Sequence, residues 1–401
     1  MRTMFWNKRL KRVYLDYAAA TPLLPEAKAA MLPYLDAHYG NAGAIHTEGQ
    51  IAKRAVEKAR EVTARAFGVR PEFVTFTSGG TESNNLAIRG LAMAVHKNGR
   101  ELKDIEVITL KTEHPATLKT VEALSRRGIS VSYAPVDDKG LVILSELEKM
   151  LSEKTTLVTF AYANSEIGVV QKIHAIKKVL TKAEERFGTR IYLHIDAAQA
   201  PLWLNCQFDT LKADLVSFDA GKCNGPKGVG VLIHSRRAEL VPVVYGGGQE
   251  DGLRPGTENV AGIVGAAIAF KYAQDKYKER AQNVAAIRDD AIKHVLAQIP
   301  NAVLNGATGE YRLVNNINIS IPGLDTEFAT VVLDKHGFAV STKSACAGAG
   351  GGESVVVKEI SGDLARASST LRISLSPETK SSDIRRLIAV LKKHVAKMSA
   401  F

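Results

Sequence analysis

Short runs of β-branched and apolar residues alternate with amphipathic helical patterns from about residue 50 to about residue 235. Such alternation is typical of βαβ units, in which helices join parallel strands. The strand-like runs are 73–77, 107–110, 131–134, 157–161, 192–195, 215–218 and 229–233, and the helical patterns are 51–67, 82–97, 116–127, 145–151 and 173–187. The sequence therefore predicts an α/β protein with a large domain built on a mainly parallel seven-stranded sheet.

The pattern changes after residue 261, where a long helical region extends to about residue 298. Strand-like runs follow at 316–321 and 371–375, and the chain closes with a helical pattern over 381–398. A chain of this length is expected to form more than one core, so these elements predict a smaller α+β C-terminal domain. The expected boundaries are an N-terminal segment 1–25 that packs on the small domain, a large domain 26–262 and a small domain 263–401.

The composition is that of a globular protein, with 45% hydrophobic and 24% charged residues, but the net charge of +11 is high. Because no nucleic-acid-binding motif accompanies the basic residues, a solvated basic surface is favoured over nucleic-acid binding. The three cysteines, Cys206, Cys223 and Cys346, are odd in number and far apart, which favours a reducing compartment over a disulfide framework. The sequence lacks the cysteine and histidine spacings of metal sites, so no metal is expected.

The N-terminal residues lack the apolar core of a secretory signal. The apolar run 260–270 is too short, and too rich in glycine and alanine, to cross a bilayer. A cytoplasmic protein without a membrane-spanning segment is therefore expected.

Candidate ligand-binding residues follow the predicted strands, as expected for an open α/β sheet. Gly79 and Gly80 lie between a strand and a helix, so their N–H groups can approach an anion, and Thr81 adds a hydroxyl. Taken alone, this segment favours an ordinary strand-to-helix turn with Thr81 as the helix N-cap over an anion site.

Asp196 and Lys222 directly follow two later strands. An aspartate in apolar surroundings needs a cationic partner, such as a pyridinium nitrogen, although a helix N-cap is an open alternative. A partly desolvated lysine at the edge of a sheet can lose its proton and form a Schiff base. Lys227, in a turn-like Gly-Pro-Lys-Gly segment, is a weaker candidate for that role.

Together with other short segments, these motifs resemble the cysteine desulfurases, the NifS-like branch of the class V aminotransferases, over nearly the whole chain from about residue 13. The segments are LDYAAAT at 15–21, TSGGTESNN at 77–85, EH at 113–114, EIG at 166–168, DAAQ at 196–199, GPKG at 225–228, RPGTEN at 254–259, SAC at 344–346 and LRISL at 371–375. The resemblance implies a homodimer with the type I fold of enzymes that depend on pyridoxal 5'-phosphate (PLP).

The resemblance also implies roles for single residues. Lys222 matches the lysine that bonds to PLP, Asp196 the partner of the ring nitrogen, Gln199 the donor to the ring hydroxyl and His114 the residue stacked on the ring. Gly80 and Thr81 match contacts to the phosphate, Thr257 matches a phosphate contact from the other subunit, and Arg372 matches the clamp for the substrate carboxylate.

Cys346 matches the residue that accepts sulfur from L-cysteine as a persulfide. Its glycine-rich flank favours a loop that can move, and Lys343 favours the thiolate form. By contrast, Cys206 and Cys223 are interpreted as small buried apolar residues. The family's acceptors imply partners in iron–sulfur cluster assembly or tRNA thiolation.

Three positions depart from the family. Its usual Ser-x-His-Lys has Asp219 and Gly221 in place of the serine and the histidine, which both help to hold the phosphate, and its second asparagine before Glu-Ile-Gly is Ser165. Asp219 must turn away, pair with a cation or alter the site, while Ser217 is expected to substitute partly as a phosphate ligand. Weaker PLP binding than in relatives is therefore expected. Another class V activity, such as that of a selenocysteine lyase or an aminotransferase, and a non-catalytic scaffold remain alternatives.

Overall fold

The seven strand-like runs of the large domain lie side by side in a single sheet. The computed structural model describes residues 11–342 and 352–398. The strands are β1 Val13–Tyr14, β2 Val74–Thr77, β3 Glu106–Thr109, β4 Ser130–Tyr133, β5 Thr155–Ala161, β6 Tyr192–Asp196, β7 Leu215–Asp219, β8 Gly230–His234, β9 Val303–Leu304, β10 Asn316–Ser320, β11 Phe338–Ala339, β12 Ser341–Thr342 and β13 Thr370–Ser374. The large sheet has the order β2-β8-β7-β6-β5-β3-β4.

Helices cover both this sheet and a smaller one. They are α1 Pro25–Met31, α2 Thr47–Phe67, α3 Gly80–Asn85, α4 Leu91–Lys97, α5 Pro115–Ser125, α6 Leu144–Met150, α7 Ile173–Phe187, α8 Phe208–Leu211, α9 Val260–Asp275, α10 Tyr277–Gln298, α11 Thr326–Lys335, α12 Val355–Ser361, α13 Leu364–Ser368 and α14 Ser381–Met398. A π-helical turn, Leu86–Gly90, joins α3 to α4. The long helical region predicted after residue 261 is two helices, because the backbone breaks at Lys276 (φ −133°).

The direction of the strands brings the predicted site residues to one edge of the large sheet. β8 is antiparallel to both of its neighbours, β2 and β7, whereas all other neighbouring pairs in this sheet are parallel. The carboxyl ends of β2, β3, β5, β6 and β7 therefore face the same way, and the segments that follow them meet there.

The core of the large domain lies on both faces of this sheet. Every residue of β5 is buried, which explains why its sequence does not alternate between apolar residues facing the core and polar residues facing solvent. On one face, Phe67 of α2 stacks on Phe218 of β7 with ring centroids 4.1 Å apart, and Phe270 of α9 packs edge-on against Phe67. Burial of a phenylalanine contributes about 1.5–3 kcal/mol. The apolar run 260–270 thus packs in the core as part of α9, and none of the helices described has the length and apolarity needed to span a membrane.

The small sheet has the order β12-β13-β10-β9 with antiparallel neighbours. The N-terminal segment contacts both domains. β1 pairs in parallel with β11 in a separate two-stranded sheet, and Asp16 forms a β-bridge with Ser374 of β13 in the small sheet. Beyond β7 of the large sheet, the Thr21 hydroxyl donates to the Gly221 carbonyl (3.0 Å). This segment therefore connects the small sheet to the turn that carries Lys222. The division at residues 25 and 262 stays a prediction.

Candidate active site

A cavity of about 660 Å³, including its open mouth, lies at the carboxyl edge of the large sheet, and Arg372 of the small sheet also lines it. It brings together most of the residues predicted from the sequence. Those that line it are Gly80, Thr81, His114, Ser165, Asp196, Gln199, Lys222 and Arg372. Cys346 lies outside the described residues, and Thr257 is exposed on the segment that precedes α9.

Lys222 enters this cavity from a 3-10 turn, Ala220–Lys222, that directly follows β7. Its Nζ donates to the carbonyl oxygens of Ala18 (3.1 Å) and Ala19 (2.5 Å) in the N-terminal segment. Both hydrogen-bond acceptors of the amine are neutral carbonyls, so the amine can react without first breaking an ion pair to a carboxylate. The N-terminal segment thus positions the amine, a role that sequence reasoning missed.

Cys223 and Cys206 are both free and fully buried, as predicted. The Cys223 Sγ points at the backbone, with the Asp219 and Ala220 carbonyl oxygens at 3.6 and 3.5 Å. Burial raises the pKa of both thiols well above the usual value. Neither is therefore a candidate nucleophile.

Asp196, the last residue of β6, is oriented by two hydrogen bonds. Its Oδ2 accepts from the Asn84 side chain (2.7 Å), and its Oδ1 accepts from the Ala198 N–H (3.0 Å). Because a turn rather than a helix follows Asp196, the helix N-cap alternative is wrong. Asn84 is a site residue that sequence reasoning did not single out. It is buried, and its Oδ1 has no hydrogen-bond partner among the described residues.

His114 both faces the cavity and caps α5. Its Nδ1 accepts from the Ala116 N–H (3.1 Å), so the proton of the neutral ring is on Nε2. Burial lowers the pKa of His114, Asp196 opposes this shift and Lys222 adds to it. The ring is therefore neutral at physiological pH, which suits stacking on an aromatic cofactor.

Glu113, the neighbour of His114, is a buried acid that is only 5% exposed. Its Oε2 has no hydrogen-bond partner within the described part of the chain. Desolvation raises its pKa to about 8, the backbone of Ala161 opposes the shift, and the negative charge of Asp196 adds to it. Glu113 is consequently protonated in the folded protein at neutral pH, whereas in the unfolded chain it is ionised above about pH 4.5.

Replacing Glu113 with glutamine is expected to flatten the dependence of stability on pH. Between about pH 4.5 and 8 the folded state binds a proton that the unfolded state does not, so stability falls as pH rises through this window and levels off above it. The wild type should lose on the order of several kcal/mol over the window. Urea unfolding at pH 5.5 and 8.5 measures the change. An equal loss of unfolding free energy between pH 5.5 and 8.5 in wild type and Glu113→Gln would contradict the conclusion that Glu113 is protonated in the folded protein.

The glycine turn after β2 approaches β8 closely. A Cβ on Gly230 would lie 2.4 Å from the Gly79 carbonyl carbon, and Gly79 has φ +151°, so both positions require glycine. Gly79 is the N-cap residue of α3 and no side chain caps this helix, so the alternative role of Thr81 as N-cap is wrong. The turn leaves the Gly80 N–H directed toward Asp219.

Asp219 occupies the position for which the resemblance implies a phosphate-binding serine. Its Oδ2 accepts from the Gly80 N–H (3.3 Å) and its Oδ1 from the Gly221 N–H (2.9 Å). The carboxylate therefore does not turn away from the glycine turn, and within the described residues it does not pair with a cation. Of the three expected outcomes, this geometry corresponds to a change in the site itself. The expectation that Ser217 serves as a phosphate ligand is wrong: it is fully buried, and its hydroxyl is 2.9 Å from His194 Nε2 inside the core.

Arg372, in β13 of the small sheet, is buried and lines the cavity. One terminal nitrogen donates to Asp16 (2.8 Å), the other donates to the Ser165 carbonyl (3.1 Å), and Nε has no partner among the described residues. The guanidinium is thus fixed in orientation and retains donor capacity. Gln199 is similarly fixed, because its amide donates to the Ala18 carbonyl (2.9 Å).

The donor set fits the ring end of PLP. Among the described residues, the Lys222 amine donates only to carbonyls and the oriented Asp196 carboxylate has no ion-pair partner, while His114 supplies a neutral aromatic ring. These are the groups needed for an aldehyde, a ring nitrogen and a ring face. At the phosphate end the residues fit PLP less well, because the Gly80 N–H already donates to the Asp219 carboxylate.

The chain belongs to the aminotransferase class-V family, whose model matches residues 13–387. Enzymes of this family depend on PLP. The chain is 37% identical over 388 residues to cysteine desulfurase IscS of Dictyoglomus turgidum, with 97% of this chain and 95% of that protein covered. A NifS-like protein of known structure superposes with a TM-score of 0.87 at 32% identity, covering 96% of this chain and 99% of that one. A structure of SspA in complex with cysteine has a TM-score of 0.76 at 30% identity, with 92% and 99% covered.

Proposed function

We propose that the protein is a PLP-dependent cysteine desulfurase, which converts L-cysteine to L-alanine and transfers the sulfur to Cys346. The observation that carries the proposal is the convergence of Lys222, Asp196 and Arg372 on one cavity. The similarity to IscS and to a cysteine-bound relative supports the choice of substrate.

Lys222 would hold PLP covalently, Asp196 would pair with its ring nitrogen, and His114 would lie on the ring face. Gln199 and Ser165 line the cavity and would contact the ring hydroxyl. When bound, PLP withdraws electrons from the α-carbon of the amino acid. The part assigned to the chain's own residues is to hold the substrate, to move its protons and to accept its sulfur.

Arg372 binds the substrate carboxylate. Its planar guanidinium can make two parallel hydrogen bonds to a carboxylate, and the bonds to Asp16 and Ser165 keep it from turning away. Because Arg372 is buried, the ion pair forms in surroundings of low dielectric constant, where it is stronger than at the surface.

Replacing Arg372 with lysine is expected to raise the KM for L-cysteine by about ten- to a hundredfold, because an ammonium group cannot make the two parallel hydrogen bonds of a guanidinium to a carboxylate. Steady-state kinetics of alanine formation measures KM and kcat separately. Arg280→Lys is the matched control. Arg280 is also buried, but neither it nor its carbonyl partners, Leu202, Ala273 and Tyr272, line the cavity. An unchanged KM in Arg372→Lys would remove Arg372 from substrate binding.

Lys222 transfers the proton of the substrate α-carbon, and Cys346 accepts the substrate sulfur. Lys222 would serve as the base after the substrate amine has displaced it from the cofactor. The Ala18 and Ala19 carbonyls would then position its freed amine to take the proton from the substrate α-carbon. The Cys346 thiolate then bonds to the substrate sulfur as the Cβ–S bond breaks, and the electron pair of that bond stays on the carbon skeleton. Protonation of the skeleton gives alanine, and Cys346 carries a persulfide.

The direct test is incubation of the purified protein with L-cysteine, PLP and a thiol reductant. Alanine and sulfide should form in equal amounts and should depend on added PLP. Formation of a keto acid instead would favour an aminotransferase. Protein that neither binds PLP nor forms alanine would favour a non-catalytic scaffold.

The functional unit is a homodimer in which Thr257 reaches the phosphate of the other subunit's cofactor. Large apolar side chains at the surface support a subunit contact, since Tyr245 is 82% exposed and Val244 is half-exposed close to Thr257 in sequence. The sulfur passes to an acceptor protein of iron–sulfur cluster assembly or tRNA thiolation. The cytoplasmic location and the absence of nucleic-acid binding stay predictions.

A further inference from the structure

Asp219 competes for the amide that would bind the phosphate of the cofactor. It lines the same cavity as Lys222, and its two carboxylate oxygens each accept one backbone N–H, from Gly80 and Gly221. A Cβ on Gly80 would lie 3.4 Å from Asp219 Oδ2, which shows how closely the carboxylate approaches this turn. The turn is therefore already occupied by an anion that belongs to the chain.

Nearby cations do not compensate the charge of Asp219. Lys222 donates to the Ala18 and Ala19 carbonyls, and Lys227 donates to the Thr21 carbonyl (2.9 Å). Within residues 11–342 and 352–398, the hydrogen-bond partners of the Asp219 carboxylate are these two amides alone. A phosphate dianion at this end of the cavity would have to take the Gly80 amide from Asp219 and remain beside a like charge.

We infer that Asp219 is a specificity-determining residue for the tail of the cofactor, because it reduces the preference of the site for PLP over unphosphorylated pyridoxal. The inference rests on the proposed function, since both aldehydes are captured by Lys222. It concerns the ratio of the two affinities, whereas the proposed function concerns whether either aldehyde is bound covalently. Pyridoxal has no anionic tail, so Asp219 leaves its binding unaffected.

The test is a titration of wild type, Asp219→Ser and Asp219→Asn with PLP and, separately, with pyridoxal. Visible absorbance of the attached aldehyde gives each Kd without any assay of turnover. Asp219→Ser removes the charge and restores the family's hydroxyl, while Asp219→Asn removes the charge and keeps the shape. The matched control is Asp137→Asn, because Asp137 also accepts two backbone N–H groups, from Lys139 and Leu141, outside the cavity lining.

Asp219→Ser should bind PLP about tenfold more tightly than wild type, while its Kd for pyridoxal should stay within about twofold. Asp219→Asn should shift in the same direction, and Asp137→Asn should match wild type. An unchanged ratio of the two Kd values in both Asp219 variants overturns the inference.

A second measurement keeps the inference separate from the proposed function. Inorganic phosphate, compared with chloride at equal ionic strength, should raise the thermal midpoint of Asp219→Ser and leave that of wild type unchanged. This result does not require Lys222 to react. If no aldehyde attaches to any variant, the proposed function fails, but a phosphate effect confined to Asp219→Ser still supports the inference. Equal phosphate effects in wild type and Asp219→Ser overturn it.

Discussion

Replacing Lys222 with alanine is expected to abolish covalent binding of PLP and to reduce alanine formation from L-cysteine by at least about a thousandfold. Both effects have one cause, because the same amine attaches the cofactor and moves the substrate α-proton. The absorbance of protein mixed with PLP measures the first effect, and alanine formation at saturating L-cysteine measures the second.

Lys227→Ala is the matched control for this variant. Lys227 lies in the same turn region, but its Nζ donates to the Thr21 carbonyl and it does not line the cavity. This variant should retain covalent PLP. The assignment of Lys222 fails if Lys222→Ala keeps the absorbance and Lys227→Ala loses it.

Replacing Cys346 with alanine is expected to reduce sulfide release from L-cysteine by at least about a hundredfold while PLP binding is unchanged. The substrate sulfur then has no thiolate acceptor, although the cavity residues remain intact. Sulfide release with a thiol reductant measures turnover, and absorbance measures the cofactor. This split between binding and turnover distinguishes Cys346 from Lys222, whose loss removes both.

Cys206→Ala serves as the control for this variant. Cys206 is fully buried with its Sγ 3.6 Å from the Leu204 carbonyl, so its loss should leave sulfide release at the wild-type rate. Equal sulfide release by Cys346→Ala and wild type would show that Cys346 is not the acceptor and would favour another class V activity.

The architecture of the large domain could be predicted from the sequence because most of its strands, unlike the edge strand β4, are buried on both faces. A strand such as β5 therefore appears as a run of β-branched and apolar residues without alternation of polar and apolar positions, and all seven strands were located to within a few residues. Long amphipathic helices were predicted equally well, and α7 has the predicted bounds. Several short helices were missed. α1, α12 and α13 have only five to seven residues and α11 has ten, so each shows a helical period over three turns at most, although α6, with seven residues, was predicted.

Most of the site could be predicted because its residues follow strands and match a family in order. Two failures have physical causes. Ser217 and Asp219 are two residues apart in β7, so the alternation of side chains along a strand places both on the same face of the sheet. Only Asp219, at the end of the strand, reaches the cavity. Asn84 lies in a polar run, and its contact with Asp196 spans 112 residues of sequence, which no local pattern indicates. The competition between Asp219 and a phosphate likewise depends on the approach of the Gly80 turn to β7.

The central claim is that the amine of Lys222 carries the cofactor beside Asp196. Borohydride reduction of the protein in the presence of PLP, followed by mass spectrometry of its peptides, tests this most directly. The phosphopyridoxyl mass should be found on the peptide that contains Lys222 and should be absent from the one that contains Lys227. A label on a different lysine, or no label with PLP in excess, would contradict the account.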